Sequence, residues 1–306
     1  MRLTLAFSVY FAVSALAVPV ALQKRASLGD PDILQFALTL EHLENAFYKQ
    51  ALSTWSVDEF VQANFTEDFY SQLKYIAHDE EGHVLFLESG LKAAGASPVA
   101  ACSYNFPMTG PKEFVALAAT IEGVGVSAYL GAAPYVSSKA YLTAAASILA
   151  TEALHQSAAR GASGAVPMAN PFATPMGVNA VYSIASQFIS SCPSSNTALP
   201  VKAYPGLTVT QGMPVAANTS VTFSVDGELP QSPIFVTFVS GLNVLPVEGS
   251  IADGMLSAEV PGKVSGQSYA FVTSDNSGNL TDSSILFGPA ILEVTASSPT
   301  FDLSVV

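Results

Sequence analysis

Two Glu-x-x-His motifs place acids and imidazoles inside segments that otherwise read as apolar helices. Glu80 and His83 form the first motif, and Glu152 and His155 form the second. Residues three apart share one face of a helix, so each motif can offer a carboxylate and an imidazole to a single point. Acids are rarely buried unless they are paired or bind a metal. The motifs therefore predict a fold that gives these groups a common partner.

Two further glutamates, Glu41 and Glu122, lie in apolar surroundings on predicted helices of their own. The order along the chain is Glu, Glu-x-x-His, Glu, Glu-x-x-His. Each lone glutamate is followed seven residues later by a tyrosine, Tyr48 or Tyr129. This repeat indicates two copies of one helical hairpin. Two glycines follow Glu122, and close approach of another helix explains them better than chance does.

Caps and chain breakers predict four long helices between residues 30 and 190. They run from Asp30-Pro31 to about Leu52, from Thr66 to near Gly95, from Pro111 to before Pro134, and from a serine cap to Arg160-Gly161. A shorter helix is predicted within residues 176–190. Four long helices with a short fifth one indicate a helical bundle over residues 26–193.

Beyond about residue 200 the chain changes to short β-branched or aromatic segments separated by Gly, Pro, Asn and Ser. The segments are "SVTFSVDG", "PIFVTFVSG", "SYAFVTSD" and "SSILFGPAILEV". They predict a β-sandwich-like domain over residues 207–306, joined to the bundle by a linker at 194–206. The predicted fold class is thus a two-domain α + β protein.

The first 25 residues have the parts of a secretory signal peptide and a short propeptide. An apolar run ends in small residues at 15–17, and Lys24-Arg25 closes the predicted propeptide, 18–25. A membrane anchor is the alternative, but the apolar run is short for a span. We expect a secreted protein, extracellular or in the cell wall, without a membrane span after processing.

The net charge and the N-glycosylation sequons are consistent with secretion. The chain carries a formal charge of −13, and removing residues 1–25 takes away three basic residues and no acid, giving −16. So acidic a protein repels nucleic acid and attracts cations. Three N-glycosylation sequons begin at Asn64, Asn218 and Asn279. The two cysteines, Cys102 and Cys192, are expected to form a disulfide in an oxidising compartment, the alternative being two buried thiols.

Several segments resemble the secreted fungal ferritin-like domain proteins of the stress-response or late-sexual-development type, which are related to plant desiccation-related proteins. They are "ILQFALTLEHLENAFY", "HDEEGHVLFL", "IEGVGVSAYLGAA", "SILATEALHQSAAR" and "FISSCP", and the resemblance covers about residues 28–193. It implies a ferritin-like bundle with a dinuclear metal site whose ligands are Glu41, Glu80, His83, Glu122, Glu152 and His155. Glu80 and Glu152 would bridge the two metals.

The donor set agrees with that implication. Four carboxylates balance two divalent metals, and oxygen and imidazole ligands suit iron or manganese, with zinc not excluded. Glu44 is the rival of Glu41, but the internal repeat has Gly125 in its place, so Glu41 is the predicted ligand. His42 and His78 lie off the motif and are predicted to be solvated. Tyr48 and Tyr129 are predicted to donate hydrogen bonds to the metal glutamates, with core aromatics as the alternative.

The leading functional hypothesis is a secreted metal-dependent redox protein that reacts with O₂ or peroxide, as a ferroxidase or a catalase does. A non-catalytic stress-related or wall-associated structural protein is the alternative. In a third hypothesis, the β domain binds cell-wall polysaccharide or another protein. No nucleic acid partner is expected.

Overall fold

The computed structural model describes residues 28–230 and 233–305. The predicted signal peptide, 1–17, and propeptide, 18–25, lie outside the described residues. Helices occupy the N-terminal half and antiparallel sheets occupy the C-terminal half, as the sequence predicted.

Four long helices account for most of the first half. The helices are α1 (Asp30–Thr54), α2 (Val57–Gln62), α3 (Glu67–Ala93), α4 (Pro111–Ala132), α5 (Lys139–Ala162) and α6 (Val178–Ala185). The predicted caps at Thr66 and Ser138 accept hydrogen bonds from backbone N–H groups three residues on. The prediction missed α2, a one-and-a-half-turn helix with a capping box at Ser56.

The start of α1 differs from the prediction. Gly29 is the N-cap, and its N–H donates to the Asp32 carboxylate. Asp30 instead accepts hydrogen bonds from the backbone N–H groups of Ser137 and Ser138. The Asp30-Pro31 pair is thus a first-turn feature, and Asp30 also joins α1 to the start of α5.

The long helices pack as α1 against α3 and α4, and α4 against α5, while α3 also contacts α5. Large buried side chains such as Phe47, Leu73 and Phe114 fill the space between them. Within the described residues, one helical stretch, Pro111–Tyr135, is long and apolar enough to cross a membrane, but it is mostly buried inside the protein. It therefore gives no clear membrane span.

In the described part of the chain, the strands form three antiparallel sheets. They are β1 (Ser103–Tyr104), β2 (Ile189–Ser191), β3 (Leu207–Val209), β4 (Ser220–Val225), β5 (Phe235–Ser240), β6 (Asn243–Glu248), β7 (Ser250–Ala252), β8 (Met255–Glu259), β9 (Gly266–Thr273) and β10 (Ile285–Val294). The two four-stranded sheets have the orders β10-β9-β5-β6 and β3-β4-β8-β7, and β1 pairs with β2. All four predicted segments became strands, whereas β3, β6, β7 and β8 of the two large sheets and the short strands β1 and β2 were missed.

The sheet β10-β9-β5-β6 is buried on both faces. Ala270 and Val272 point to the core shared with the other four-stranded sheet. Tyr269 and Phe271, on the opposite face of β9, belong to the same core as the long helices. Helices, this sheet and the second sheet therefore form three layers, and strand β9 is the apolar centre.

The predicted linker is held against the helices. Asn196 bonds both ways with the backbone of Ala100, and the N–H of Lys202 donates to Asn179 on α6. The disulfide Cys102–Cys192, adjacent to the β1–β2 pair, is present with a sequence separation of 90. The segment between the two halves is thus fixed to the helical half by several links.

Removal of the disulfide is expected to destabilise the protein without abolishing its fold. The double substitution Cys102→Ser with Cys192→Ser should lower the free energy of unfolding by about 2–4 kcal/mol, because a long closed loop is released. The β1–β2 pair and the Asn196 bonds still hold the two segments together. Urea unfolding with and without reductant measures the effect. The reductant should shift the wild type only, and an equal shift in the double variant would contradict this account.

Candidate metal centre

Each of the four long helices contributes an acid to a cluster inside the helical half. Glu41 lies on α1, Glu80 on α3, Glu122 on α4 and Glu152 on α5, and all four are 0% exposed. The two histidines of the motifs, His83 and His155, are buried beside them. The structure therefore brings together all six residues that the resemblance implied as ligands.

The six residues form two overlapping groups that could hold a metal ion. The first contains Glu41, Glu80, His83 and Glu152, and the second contains Glu80, Glu122, Glu152 and His155. Within each group one possible ligand atom per residue lies within 4.8 Å of all the others. Glu80 and Glu152 are members of both groups, so they occupy the centre of the cluster.

The ring nitrogens of both histidines face the carboxylates. His155 Nδ1 lies 2.9 Å from Glu80 Oε1 and 3.4 Å from Glu122 Oε2. His83 Nδ1 lies 3.2 Å from Glu41 Oε2 and 3.4 Å from Glu152 Oε1. Each imidazole is therefore directed into the cluster by the same nitrogen.

Many of these buried atoms have no hydrogen-bond partner. Within the part of the chain that the structure describes, they include both carboxylate oxygens of Glu80 and of Glu152, Glu122 Oε2 and His155 Nδ1. His155 Nδ1 and Glu80 Oε1 are close, yet the angles between them do not make a hydrogen bond. Unpaired buried polar atoms are costly, and here they converge on common points. Such an arrangement fits divalent cations, which would neutralise the charges and satisfy the lone pairs.

The pKa values show that the metal-free cluster disfavours ionised carboxylates. Burial, with the nearby carboxylates of Glu80 and Glu122, raises the pKa of Glu152 well above its ordinary value. Burial also raises the pKa of Glu80 to about 7, although both histidines lower it in part. For His155, burial lowers the pKa, but contacts with Glu122 and Glu80 outweigh it and bring the value to about 11. Protons thus replace cations when no metal is bound.

The two tyrosines donate across the helices. Tyr48 on α1 donates to Glu122 Oε1 on α4, and Tyr129 on α4 donates to Glu41 Oε1 on α1 at 2.5 Å. Burial and the accepting carboxylates raise both tyrosine pKa values well above 10.0. The hydroxyls therefore remain protonated donors. Their reciprocal arrangement follows the internal repeat in the sequence.

The two histidines outside the motifs, His42 and His78, differ in their placement. His42, predicted to be solvated, is buried, and its Nε2 bonds to the carbonyl of Val99, so that prediction was wrong. His78 is exposed as predicted. The reason is that α1 has neighbours on nearly every side, among them the chain segment at Val99, whereas His78 lies on the outer face of α3.

Glu44 is buried but lies in neither metal-binding group. Burial and the carboxylates of Glu152 and Glu41 raise its pKa well above the ordinary value. Asp79 was missed by the sequence analysis, and its Oδ2 lies 3.3 Å from His155 Nε2, the nitrogen that faces away from the cluster. The contact joins two different helices, and spacing along the chain gives no signal for it.

The two glycines after Glu122 leave space for different neighbours. A Cβ on Gly125 would lie 2.5 Å from Glu152 Oε2 and 2.8 Å from Glu44 Oε1. A Cβ on Gly123 would lie 2.3 Å from both Gln156 Nε2 and Gln267 Oε1. Side chains of α5 do approach both glycines, and the second neighbours come from α1 and from strand β9.

Comparison with known families agrees with this geometry. Residues 29–165 match the family model of the ferritin-like domain. A ferritin-like domain is supported for this part of the chain. The match contains all six clustered residues and ends before α6 and the two four-stranded sheets.

A curated relative extends the similarity beyond that domain. The chain is 25% identical to Protein rds1 of Schizosaccharomyces pombe over 253 residues. The aligned region covers 81% of this chain. The aligned region is 61% of that protein's length, so this chain spans less than two thirds of its relative. The similarity supports a ferritin-like protein of a fungal type.

The metal-free protein is expected to lose stability as the pH rises from 5 to 8. Glu80 has a folded-state pKa above its unfolded value, so folding becomes less favourable as pH rises from about 4.5 to 7. The raised pKa of His155 stabilises the fold fully below 6.5, and this contribution declines towards about 11. The unfolding midpoint should fall by roughly 5 °C in calorimetry. Added metal should restore more stability at pH 8 than at pH 5, because it displaces protons. A midpoint of the metal-free protein that rises with pH would be inconsistent with these shifts.

Gly125→Ala should weaken metal binding while leaving the fold intact. The added methyl group would overlap the carboxylate ends of Glu152 and Glu44 rather than backbone atoms, so these side chains must shift, and the shift displaces Glu152 from the cluster. We expect at least a roughly tenfold loss of metal affinity by isothermal titration.

Gly90→Ala is the matched control for that substitution. No atom lies within 4 Å of its added Cβ, and it is also within a helix. It should leave affinity unchanged and stabilise the protein by about 0.5–1 kcal/mol. Equal affinities of the two variants would show that Gly125 does not keep the space for Glu152.

Proposed function

We propose that this chain is a secreted ferritin-like protein with a dinuclear iron or manganese site in a four-helix bundle, reactive towards O₂ or peroxide. The observation that carries the proposal is the pair of metal-binding groups that share Glu80 and Glu152. Two cations separated by shared carboxylates would balance the four negative charges. When bound, such metals supply the electrons for reduction of O₂ or peroxide.

The residues of the chain would hold the centre in a fixed geometry. Tyr48 and Tyr129 each donate to one oxygen of a terminal glutamate. The second oxygen of Glu122 has no hydrogen-bond partner, and the second oxygen of Glu41 lies 3.2 Å from His83 Nδ1. Asp79 faces His155 Nε2 and thereby fixes the imidazole with Nδ1 directed inward. Burial of the cluster keeps bulk water away from the reacting groups.

Secretion is supported by features outside the centre. The disulfide is compatible with an extracellular protein. Asn64, Asn218 and Asn279 are all exposed, as glycosylation requires. The predicted signal peptide and the acidic composition fit the same location, which would be extracellular or in the cell wall.

A matched pair of isosteric substitutions tests the site. Glu80→Gln removes a carboxylate that both groups share, whereas Glu81→Gln changes its exposed neighbour, which pairs with Lys49. Purified wild type and Glu81→Gln should contain roughly two equivalents of iron or manganese per chain, one for each group. Glu80→Gln should contain fewer than about one, because both groups lose a ligand. A wild type with less than about half an equivalent would falsify the proposal.

Reactivity is measured on the loaded protein. Oxygen-electrode traces with ferrous iron or with hydrogen peroxide should show consumption or evolution of O₂ in the wild type and a strong loss in Glu80→Gln. Full metal occupancy with no reaction in either assay would instead support the non-catalytic, structural alternative.

A further inference from the structure

We propose that strand β9 is a structural part of the metal centre: Gln267 and Tyr269 hold the turn of α4 that carries Glu122. The consequence for metal binding rests on the proposed function, whereas the positioning itself does not. The inference gives the sheet half a role that neither the ferritin-like domain nor the sequence pattern provides.

Two side chains of β9 reach the backbone on either side of Glu122. Gln267 Nε2 donates to the carbonyl oxygen of Thr120 at 3.0 Å. The hydroxyl of Tyr269 donates to the carbonyl oxygen of Gly123 at 3.1 Å. The two accepting carbonyls therefore bracket the ligand residue within a single turn of the helix.

The same side chains are linked to one another and to α5. Gln267 Nε2 also lies 3.2 Å from the Tyr269 hydroxyl, and that hydroxyl is 2.9 Å from Ser127 Oγ. Gln156, the residue after His155, donates from Nε2 to Gln267 Oε1 at 3.2 Å. One side chain of the sheet thus connects the two helices that bear Glu122 and His155.

The centre of this network is buried, and its two amides, Gln156 and Gln267, are half-buried. Tyr269 and Ser127 are almost fully buried, and a Cβ on Gly123 would overlap the amides of both Gln156 and Gln267. Buried donors and acceptors must keep their partners, since each one left unpaired costs about 1–3 kcal/mol. The glycine, the two amides and the hydroxyl therefore fit one register of β9 against α4.

The α4 backbone needs such support at this point. Gly123 follows Glu122 directly and Gly125 comes two residues later. Each interior glycine weakens a helix by about 1 kcal/mol relative to alanine. Gly125 is required to leave room for Glu152 and Glu44, so the helix cannot be stiffened there by a side chain. Hydrogen bonds from β9 to the carbonyls of Thr120 and Gly123 restrain the turn from outside.

A second contact fixes the sheet against α5. Arg160, which is 3% exposed, makes a bidentate ion pair with Glu293 on β10, with N···O distances of 2.7 and 2.8 Å. Arg160 Nε also donates to the carbonyl of Val166. This bidentate ion pair holds β10 in a fixed position against α5, and the adjacent β9 is held with it.

The test compares two variants of the same sheet. One loses hydrogen bonds that the sheet makes to α4, and the other loses a hydrogen bond within the sheet. The test variant combines Gln267→Met with Tyr269→Phe, which keep the side-chain volumes. The control is Thr237→Val, because the buried Thr237 hydroxyl bonds to Thr273 within the sheet and not to a helix. Both variants are expected to lower the unfolding midpoint.

Hydrogen exchange of the metal-free protein is the first measurement. Amides of residues 120–127 should exchange at least about tenfold faster in the test variant, and at the wild-type rate in the control. Equal protection of this segment in the test variant and the wild type would overturn the inference. This readout does not require that any metal binds.

Metal titration is the second measurement. With Co²⁺ as the probe, the test variant should bind at least one metal roughly tenfold more weakly and show altered visible absorption bands. The control should match the wild type. Faster exchange with unchanged affinity and spectrum would overturn the role of β9 in the metal centre. A wild type that binds no metal would overturn the proposed function instead, and hydrogen exchange would still decide the positioning.

Discussion

Four glutamates on four different helices are buried in two overlapping groups, and the structure depends on how their charge is balanced. Packing like charges in the interior is strongly unfavourable, and hydrogen bonds satisfy only some of the oxygens. Two histidines and two tyrosines supply the positive charge and the donors that the chain itself can offer. The arrangement is therefore complete only with cations or with extra protons. Stability and metal content are for this reason two aspects of one property.

The helices around this cluster are adapted to it in detail. Gly125 leaves the volume that Glu152 and Glu44 occupy, and the tyrosines cross between α1 and α4 in both directions. The glycine weakens α4 where a ligand must be held accurately. Strand β9 supplies the restraint from the other side, through Gln267 and Tyr269. The sheet thus supports α4 at the turn that the glycines weaken.

Much of this could be predicted from the sequence, for identifiable reasons. Helix starts at Thr66 and Ser138 follow from local capping, and the six clustered residues follow from spacing on helix faces together with the family resemblance. Contacts between segments that are far apart in the sequence could not be predicted from capping or spacing. His42 is buried because the segment at Val99 covers it, and Asp79 meets His155 from another helix. The strands β3 and β7 are three residues long, too short for a periodic pattern.

The two-sided burial of the sheet β10-β9-β5-β6 also affects how the chain can acquire its structure. Val239, Tyr269 and Phe271 complete the core of helices that come before them in the chain. During synthesis the helical half emerges first, with that part of its surface uncovered. The last third of the chain must then fold onto it through contacts between residues far apart in sequence, which form slowly. Assembly of the helical half is therefore finished only after the sheet has been made.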